Sequence, residues 1–386
     1  MELWLEPRQC TGCGACDNVC PKKAITMKAD ACGFVHPAID NATCINCGLC
    51  EKTCPVVHPV AKNNNPIPTI YAGWSKDGYT RYHSTSGGAF SELCKGVYAR
   101  GGVVVGALYE SDMTIAHHIT TDLAGLDKIR QSKYAQSLTG DVFRDIKNLL
   151  KKGKEVLYCG APCQVAGLLA YLKGAQPKLI TVDFICRGSN SPKAYRKWLD
   201  ELETKYKGKV TRVWFKNKEC GWNRFSTRVD FDNGKVYRKD RYHDLFMKAY
   251  LEKNLYIRPC CGECLFKGLP RLADITLADF WSIDKSLDAD LGTSMLIVSS
   301  EKGAQVLAEA KERLCLAERT YEEALKGNRM LDTSAWISRY SASFLQSLDH
   351  QPFSKAYYKT LLSIKKHSLR AKIRKRVDKY IKRGHA

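Results

Sequence analysis

The strongest constraint in this chain is a cysteine spacing that occurs twice near its start. Cys10-x2-Cys13-x2-Cys16-x3-Cys20-Pro21 returns 34 residues later as Cys44-x2-Cys47-x2-Cys50-x3-Cys54-Pro55. Two such runs make the eight-cysteine pattern that holds a pair of 4Fe–4S cubanes, the fourth ligand of each being supplied by the other run. One cubane is therefore expected on Cys10, Cys13, Cys16 and Cys54, and the other on Cys44, Cys47, Cys50 and Cys20. Gly12, Gly14 and Gly48 suit the tight loops that bring backbone close to sulfur, and each proline turns the chain away. Residues 24–27 and 33–36 read as the strands of a hairpin between the runs. Zinc also binds CxxC pairs, but seldom two CxxCxxC triplets each followed by x3-Cys-Pro. Cys32 stands outside the pattern and reads as a free thiol.

Eighteen cysteines would suggest disulfides in a short secreted protein. Here the first residues, Met1 to Glu6, have neither the basic nor the apolar region of an export signal, so metal-binding thiolates in a cytoplasmic protein are expected. No apolar run reaches the ~20 residues that a membrane-spanning helix needs. At 386 residues the chain is long enough for two or three domains.

Residues 61–68 are polar and punctuated by Pro66 and Pro68, which marks a linker after a head at 1–60. Beyond it, short apolar runs such as 102–108, 155–158 and 179–182 alternate with helical stretches near 88–99, 164–173 and 192–206. That alternation indicates an α/β body. Residues 209–239 are richer in strand signals, with Asn233-Gly234 as a hairpin turn. The expected architecture is an α+β ferredoxin-like head, then an α/β body with a β-rich portion, divided at 68–150 and 155–345, and a basic helix at 350–386. Neither G-x-G-x-x-G nor G-x-x-x-x-G-K-[ST] occurs, so an ordinary dinucleotide fold and a P-loop lack support.

Several motifs then follow in order: His83-Ser84-Thr85-Ser86-Gly87-Gly88-Ala89-Phe90, Ser132-Lys133-Tyr134-Ala135-Gln136-Ser137, Gly160-Ala161-Pro162-Cys163-Gln164 and Asp183-Phe184-Ile185-Cys186-Arg187-Gly188. After them come Arg258-Pro259-Cys260-Cys261-Gly262-Glu263-Cys264 and Ala273-Asp274-Ile275-Thr276-Leu277-Ala278-Asp279-Phe280-Trp281. With the ferredoxin head, this succession resembles the coenzyme F420 hydrogenase/dehydrogenase beta-subunit family over roughly residues 5–300. The resemblance implies that the α/β body is flavin-binding, with FAD beside an iron–sulfur cluster and electrons passing between them. Departures occur at Cys186-Arg187-Gly188, where the family often has Cys-His-Gly, and at Ala278-Asp279-Phe280-Trp281-Ser282, where it often has Gly-Asp-Phe-Trp-Gly. Both sit near the flavin pocket that the resemblance implies, so they bear on the substrate rather than on the fold.

Ser84, Thr85, Ser86, Gly87 and Gly88 precede a helix, and their hydroxyls and free amides suit the pyrophosphate of FAD. An ordinary helix N-cap is the alternative. Lys133, Tyr134 and Gln136 suit flavin binding by charge, stacking and hydrogen bonds, or else form a solvated loop. Lys133 and Asp279 are the candidate catalytic residues. Asp279 could instead serve a structural turn. Cys163 and Cys186 each follow an expected strand, and Cys261-x2-Cys264 adds a metal-type pair. A third 4Fe–4S cluster on Cys163, Cys186, Cys261 and Cys264 is one reading. A zinc site and a set of reduced thiols are the others. His117 and His118 are adjacent on a strand, so they face opposite sides and do not share an ion.

The formal net charge is +21, and residues 351–386 carry twelve lysines and arginines against a single acid, Asp378. Leu369, Ile373, Val377 and Ile381 recur every fourth residue among them, the pattern of a basic amphipathic helix. An anionic membrane surface at the inner membrane face, an acidic redox partner such as ferredoxin, and a merely solvated helix all fit. Nucleic acid is disfavoured, since no recognition module accompanies the charge. The expected protein is thus an FAD- and iron–sulfur-dependent oxidoreductase exchanging hydride with a small organic or deazaflavin (coenzyme F420-like) acceptor. The alternative is a non-catalytic electron relay within a larger complex.

Overall fold

The computed structural model describes residues 4–383, with side chains described as far as residue 368. The head contains an antiparallel pair, β1 (Ile25–Ala29) and β2 (Val35–Ile39), and two short helices, Ala15–Val19 and Leu49–Lys52. Each helix starts directly after a glycine in the left-handed region, Gly14 at φ 78° and Gly48 at φ 71°. A side chain at either position would be strained.

Eight further strands form one mixed sheet. They are β3 (Thr69–Ser75), β4 (Val103–Tyr109), β5 (Ile115–Thr120), β6 (Val156–Cys159), β7 (Leu179–Phe184) and, later in the chain, β11 (Ile275–Asp279), β12 (Ser294–Val298) and β13 (Leu314–Arg319). Between β7 and β11 lie β8 (Val210–Asn217), β9 (Ser226–Phe231) and β10 (Val236–Asp240), which make a separate three-stranded antiparallel sheet where the β-rich portion was expected. The order in the large sheet is β13-β3-β12-β11-β7-β6-β4-β5. The central four, β11, β7, β6 and β4, are parallel, and antiparallel strands close both sides. Central strands buried on both faces read as continuous apolar runs. Leu157 and Val182 are accordingly fully buried, each contributing about 1.5–3 kcal/mol of burial.

The sheet crosses the boundary expected near residue 150. β4 and β5 come from the first expected domain and β6 and β7 from the second, yet β4 pairs with β6 through Val103↔Val156. The two segments therefore share one layer. Helices Ala89–Ala99 and Glu301–Ala310 cover one face, and Val142–Lys151 and Pro162–Leu172 cover the other. A third core joins helix Pro192–Tyr206, the three-stranded sheet, helix Leu245–Leu251 and the start of helix Phe353–Arg383.

The segment expected as a linker is held against the body. Asn64 Nδ2 donates to the carbonyls of Arg271, Leu272 and Ala273, each at 3.0 Å, and the Asn65 amide bonds Ser299 O at 2.8 Å. The head is held as well: Asn18 Nδ2 donates to Gly140 O at 2.7 Å and Thr139 Oγ1 to Cys13 O at 2.9 Å. The last helix runs to Arg383, and Phe353, Ala356 and Tyr357 bury its first turns. The apolar stripe of Leu369, Ile373, Val377 and Ile381 lies outside the described side chains. Among the described residues no helix is long and apolar enough to cross a membrane.

Candidate functional site

Parallel strands aim their carboxyl ends at one edge of a sheet, and ligands of α/β proteins bind outside that edge. Here the loops that follow β6, β7 and β11, with the 84–88 turn beyond β3, surround a cavity of about 1040 Å³. That volume lies at the upper end for ligand pockets and suits a large cofactor.

The 84–88 turn opens helix Ala89–Ala99. Ser84 is buried, and its hydroxyl has no hydrogen-bond partner. Arg130 is buried at the same cavity. Its Nη2 meets Asp127 at 2.8 Å, while Nε and Nη1 have no partner. An unpaired hydroxyl and two unpaired guanidinium nitrogens beside a helix start are costly unless an anion completes them. The donor set therefore fits a pyrophosphate.

Four residues expected to hold the cofactor are engaged otherwise. Ser86 Oγ donates to Thr293 O at 2.6 Å. The Gly87 amide bonds Ser294 Oγ at 2.9 Å, and a Cβ there would stand 2.3 Å from Gly73 O, so this glycine permits packing against the sheet. Lys133 is buried, and its ammonium donates to the carbonyls of Ile129, Arg130 and Gln131 at 2.9–3.3 Å, closing the end of helix Leu123–Ile129. Burial pushes its pKa down to about 7. Gln136 reaches the head instead: Oε1 accepts from Arg258 Nη1 at 2.9 Å and Nε2 donates to Thr11 O at 3.5 Å. These side chains are spent on structure because their loop threads between head, sheet and cavity.

Asp279 ends β11 at the cavity and pairs with Lys216 from β8. Its Oδ1 is buried without a partner. Burial works against the Lys216 charge, but the Asp279 carboxylate prevails and raises the ammonium above its ordinary pKa. Burial likewise pushes the Tyr134 phenol up, while Lys216 beside it pulls it down. Next to this trio, Trp222 and Trp281 stack at 4.4 Å and 8°, and the Lys216 ammonium lies 4.9 Å from the Trp281 ring. Arg241 faces Phe225 at 5.0 Å. Sequence reading missed Lys216, Arg130 and this aromatic wall. The signal for Lys216 was a charge directly after the apolar run Val213-Trp214-Phe215, on the same strand.

Twelve of the eighteen cysteines fall into three groups. Cys10, Cys13, Cys16 and Cys54 line one small cavity in the head, and Cys20, Cys44, Cys47 and Cys50 line another. Each group thus mixes the two runs as the spacing requires. Cys163, Cys186, Cys261 and Cys264 all face the large cavity. Burial drives the Cys163 thiol well up, and Cys186, Cys261 and Cys264 are near enough to raise it further. Burial pushes Cys186 up to about 12, again with Cys261 adding to it. Four thiols that oppose one another's ionisation fit a positively charged core that would bind them as thiolates. No three His, Cys, Asp or Glu side chains among the described residues converge on a single-ion site. Cys13 belongs to the head group yet lies near Cys163, and a Cβ on Gly167 would stand 2.9 Å from Cys13 Sγ. The body group therefore adjoins one head group. Cys32 is half-buried and in none of the three. His117 is buried against the carbonyls of Cys159 and Leu138, while His118 pairs with Glu110 on the exposed face.

Comparison with known proteins agrees with this arrangement. Residues 9–57 match the 4Fe-4S dicluster domain, and residues 153–324 match the C terminus of the coenzyme F420 hydrogenase/dehydrogenase beta subunit. These matches define an iron–sulfur electron-transfer protein of oxidoreductase type. The body thus carries, over residues 153–324, the C-terminal domain of the coenzyme F420 hydrogenase/dehydrogenase beta subunit, and the head carries a 4Fe-4S dicluster domain. A chain in the F420-reducing [NiFe] hydrogenase complex from Methanosarcina barkeri is similar at 16% identity, over 78% of this chain and 92% of that chain, with a TM-score of 0.47. A search of curated proteins gave no match.

Proposed function

We propose that the protein is an iron–sulfur flavoenzyme in which two cubanes in the head and one in the body serve an FAD at the large cavity. The observation that carries this reading is the row of thiol groups that ends at the cavity: one head group adjoins the body group, and the body group lines the cavity wall. Flavin exchanges electron pairs as hydride while each cubane carries single electrons, so the two together interconvert one- and two-electron chemistry.

Each residue has a definite task in this scheme. Cys10, Cys13, Cys16 and Cys54 hold one cubane, Cys20, Cys44, Cys47 and Cys50 the second, and Cys163, Cys186, Cys261 and Cys264 the third. Ser84, Thr85, Gly88 and Arg130 receive the pyrophosphate at the helix start. Tyr134, Lys216 and Asp279 form the polar end of the cavity, where Lys216 can hold a proton beside a bound acceptor. The acceptor is a small organic molecule or a deazaflavin, and the electron partner is a ferredoxin or another acidic carrier. A bare relay has no need of a cavity this large.

Anaerobic purification with iron, sulfide and flavin counts tests the scheme. About twelve irons and one FAD per chain are expected, and Cys163→Ser should remove about four irons. Eight irons without flavin would reduce the protein to a ferredoxin head on a docking module.

A further inference from the structure

Arg258 is a buried cation with no carboxylate partner among the described residues. It is 1% exposed, and its shortest hydrogen bonds go to neutral groups: Nε to Cys10 O at 2.6 Å, Nη1 to Gln136 Oε1 at 2.9 Å and Nη2 to Val35 O at 2.9 Å; the His36 ring, itself paired with Asp30, lies 3.4 Å from Nη2. The Phe34 ring lies 5.3 Å from the guanidinium. Arg271, also buried, shows the usual arrangement, paired with Asp183 at 2.7 Å. Burying an unpaired charge costs several kcal/mol, so a cation kept here implies negative charge close by. What lies close is thiol. The guanidinium bonds the Cys10 carbonyl, and the Arg258 carbonyl accepts from the Cys261 amide at 3.0 Å. The guanidinium also lies against the ligand loop itself: a Cβ on Gly12 would stand 2.9 Å from Arg258 Nη1. The second head group has no equivalent, since its one charged lining residue, Lys22, is exposed.

We propose that Arg258 is the fixed counter-charge of the cluster on Cys10, Cys13, Cys16 and Cys54 and raises its reduction potential. This rests on the reading that the group holds a cubane. One electron added to a thiolate-bound cubane adds one negative charge, and a positive charge fixed in a low-dielectric seam favours that reduced state. The residue therefore acts through the cluster, as a tuning group at the joint between head and body, and holds the electron on the side facing the cavity.

The test is a dithionite titration of the full chain followed by electron paramagnetic resonance, with iron and sulfide counted in each sample. Arg258→Gln should move one cubane to a more negative potential and leave the others in place, and Arg258→Lys should restore most of the shift. Gln136→Glu puts a carboxylate beside the guanidinium and should produce the same negative shift, which keeps the test decisive if Arg258→Gln loses its iron. Full iron with unmoved potentials in Arg258→Gln, or in Gln136→Glu where that variant decides, overturns this inference alone. An unsubstituted chain without iron overturns it together with the proposed function.

Discussion

Lys216 and Asp279 show what a buried pair demands of its two residues. Asp279 was legible, because it stands in a motif and at a strand end. Lys216 was not, because nothing in the local pattern says that a strand 63 residues upstream will bring an ammonium to that carboxylate. The pair is nearly enclosed, with side chains 6% and 13% exposed, and removing one member of such a pair leaves an uncompensated charge. Asp279→Asn is expected to cost about 3 kcal/mol in urea unfolding. The double variant Lys216→Met/Asp279→Asn should recover part of that loss, and a double variant no more stable than the single would show that charge pairing is not the cause. His117 supplies a pH dependence at the same scale. Burial lowers its imidazole to about 4 from the ordinary 6.5. Between those values the unfolded chain binds the extra proton, so the native state keeps its full advantage above about pH 6.5 and loses it as pH falls toward 4. The loss attributable to His117 should be roughly 3 kcal/mol over that interval. Comparing the pH slopes of the native chain and His117→Gln in denaturant titrations measures it, and equal slopes would count against the assignment.

At the scale of elements, the sequence shows periodicity well and partners poorly. The runs in β4, β6 and β7 announced strands of an α/β body, and alternation placed His117 and His118 on opposite faces of β5. The division near residue 150 misled because sheet pairing is non-local: a helix, Val142–Lys151, separates strands that become neighbours through β4 and β6. The 84–88 turn is the sharper case. As sequence, all five residues looked like a phosphate cradle, but in space the turn has an outer and an inner side. The Ser84 hydroxyl and Nε and Nη1 of Arg130 remain unpaired at the cavity, while Ser86 and Gly87 are fastened to β12 and its approach. Gly87→Ala would place its Cβ 2.3 Å from Gly73 O and 2.7 Å from Ser294 N, both backbone atoms that cannot rotate away. The turn should shift outward at a cost of about 1–3 kcal/mol. The expected result is lower thermal stability together with less FAD retained per chain. Unchanged flavin retention would separate this turn from the cofactor.

For the whole molecule, the question is whether the head is a tethered module or part of the body. Composition at residues 61–68 suggested a tether, because Asn and Pro are common in linkers. No local pattern reveals that Asn64 will bond three consecutive carbonyls of a segment 207–209 residues away. Cys13 likewise sits in the same core as Val105, Val165 and Leu168 of the body. One head group is thus built partly on the helix Pro162–Leu172, whereas the other, with exposed Cys47, stands away from it. Gly167 is where this dependence can be probed. Its missing side chain leaves room for Cys13, whose Sγ and Cβ would lie 2.9 and 3.1 Å from a Cβ added there. Gly167→Val should therefore push Cys13 out of its group and lower the iron content by about four per chain, with the second head cluster retained. Gly78→Ala, where an added Cβ meets nothing within 4 Å, is the matching control and should keep all its iron. If Gly167→Val kept its full iron, the head would be able to assemble both clusters without the body, and the seam would be a docking contact between separate modules. Loss of iron from the valine variant alone makes the body's helix part of the cluster's housing, and ties formation of the first cluster to folding of the domain it serves.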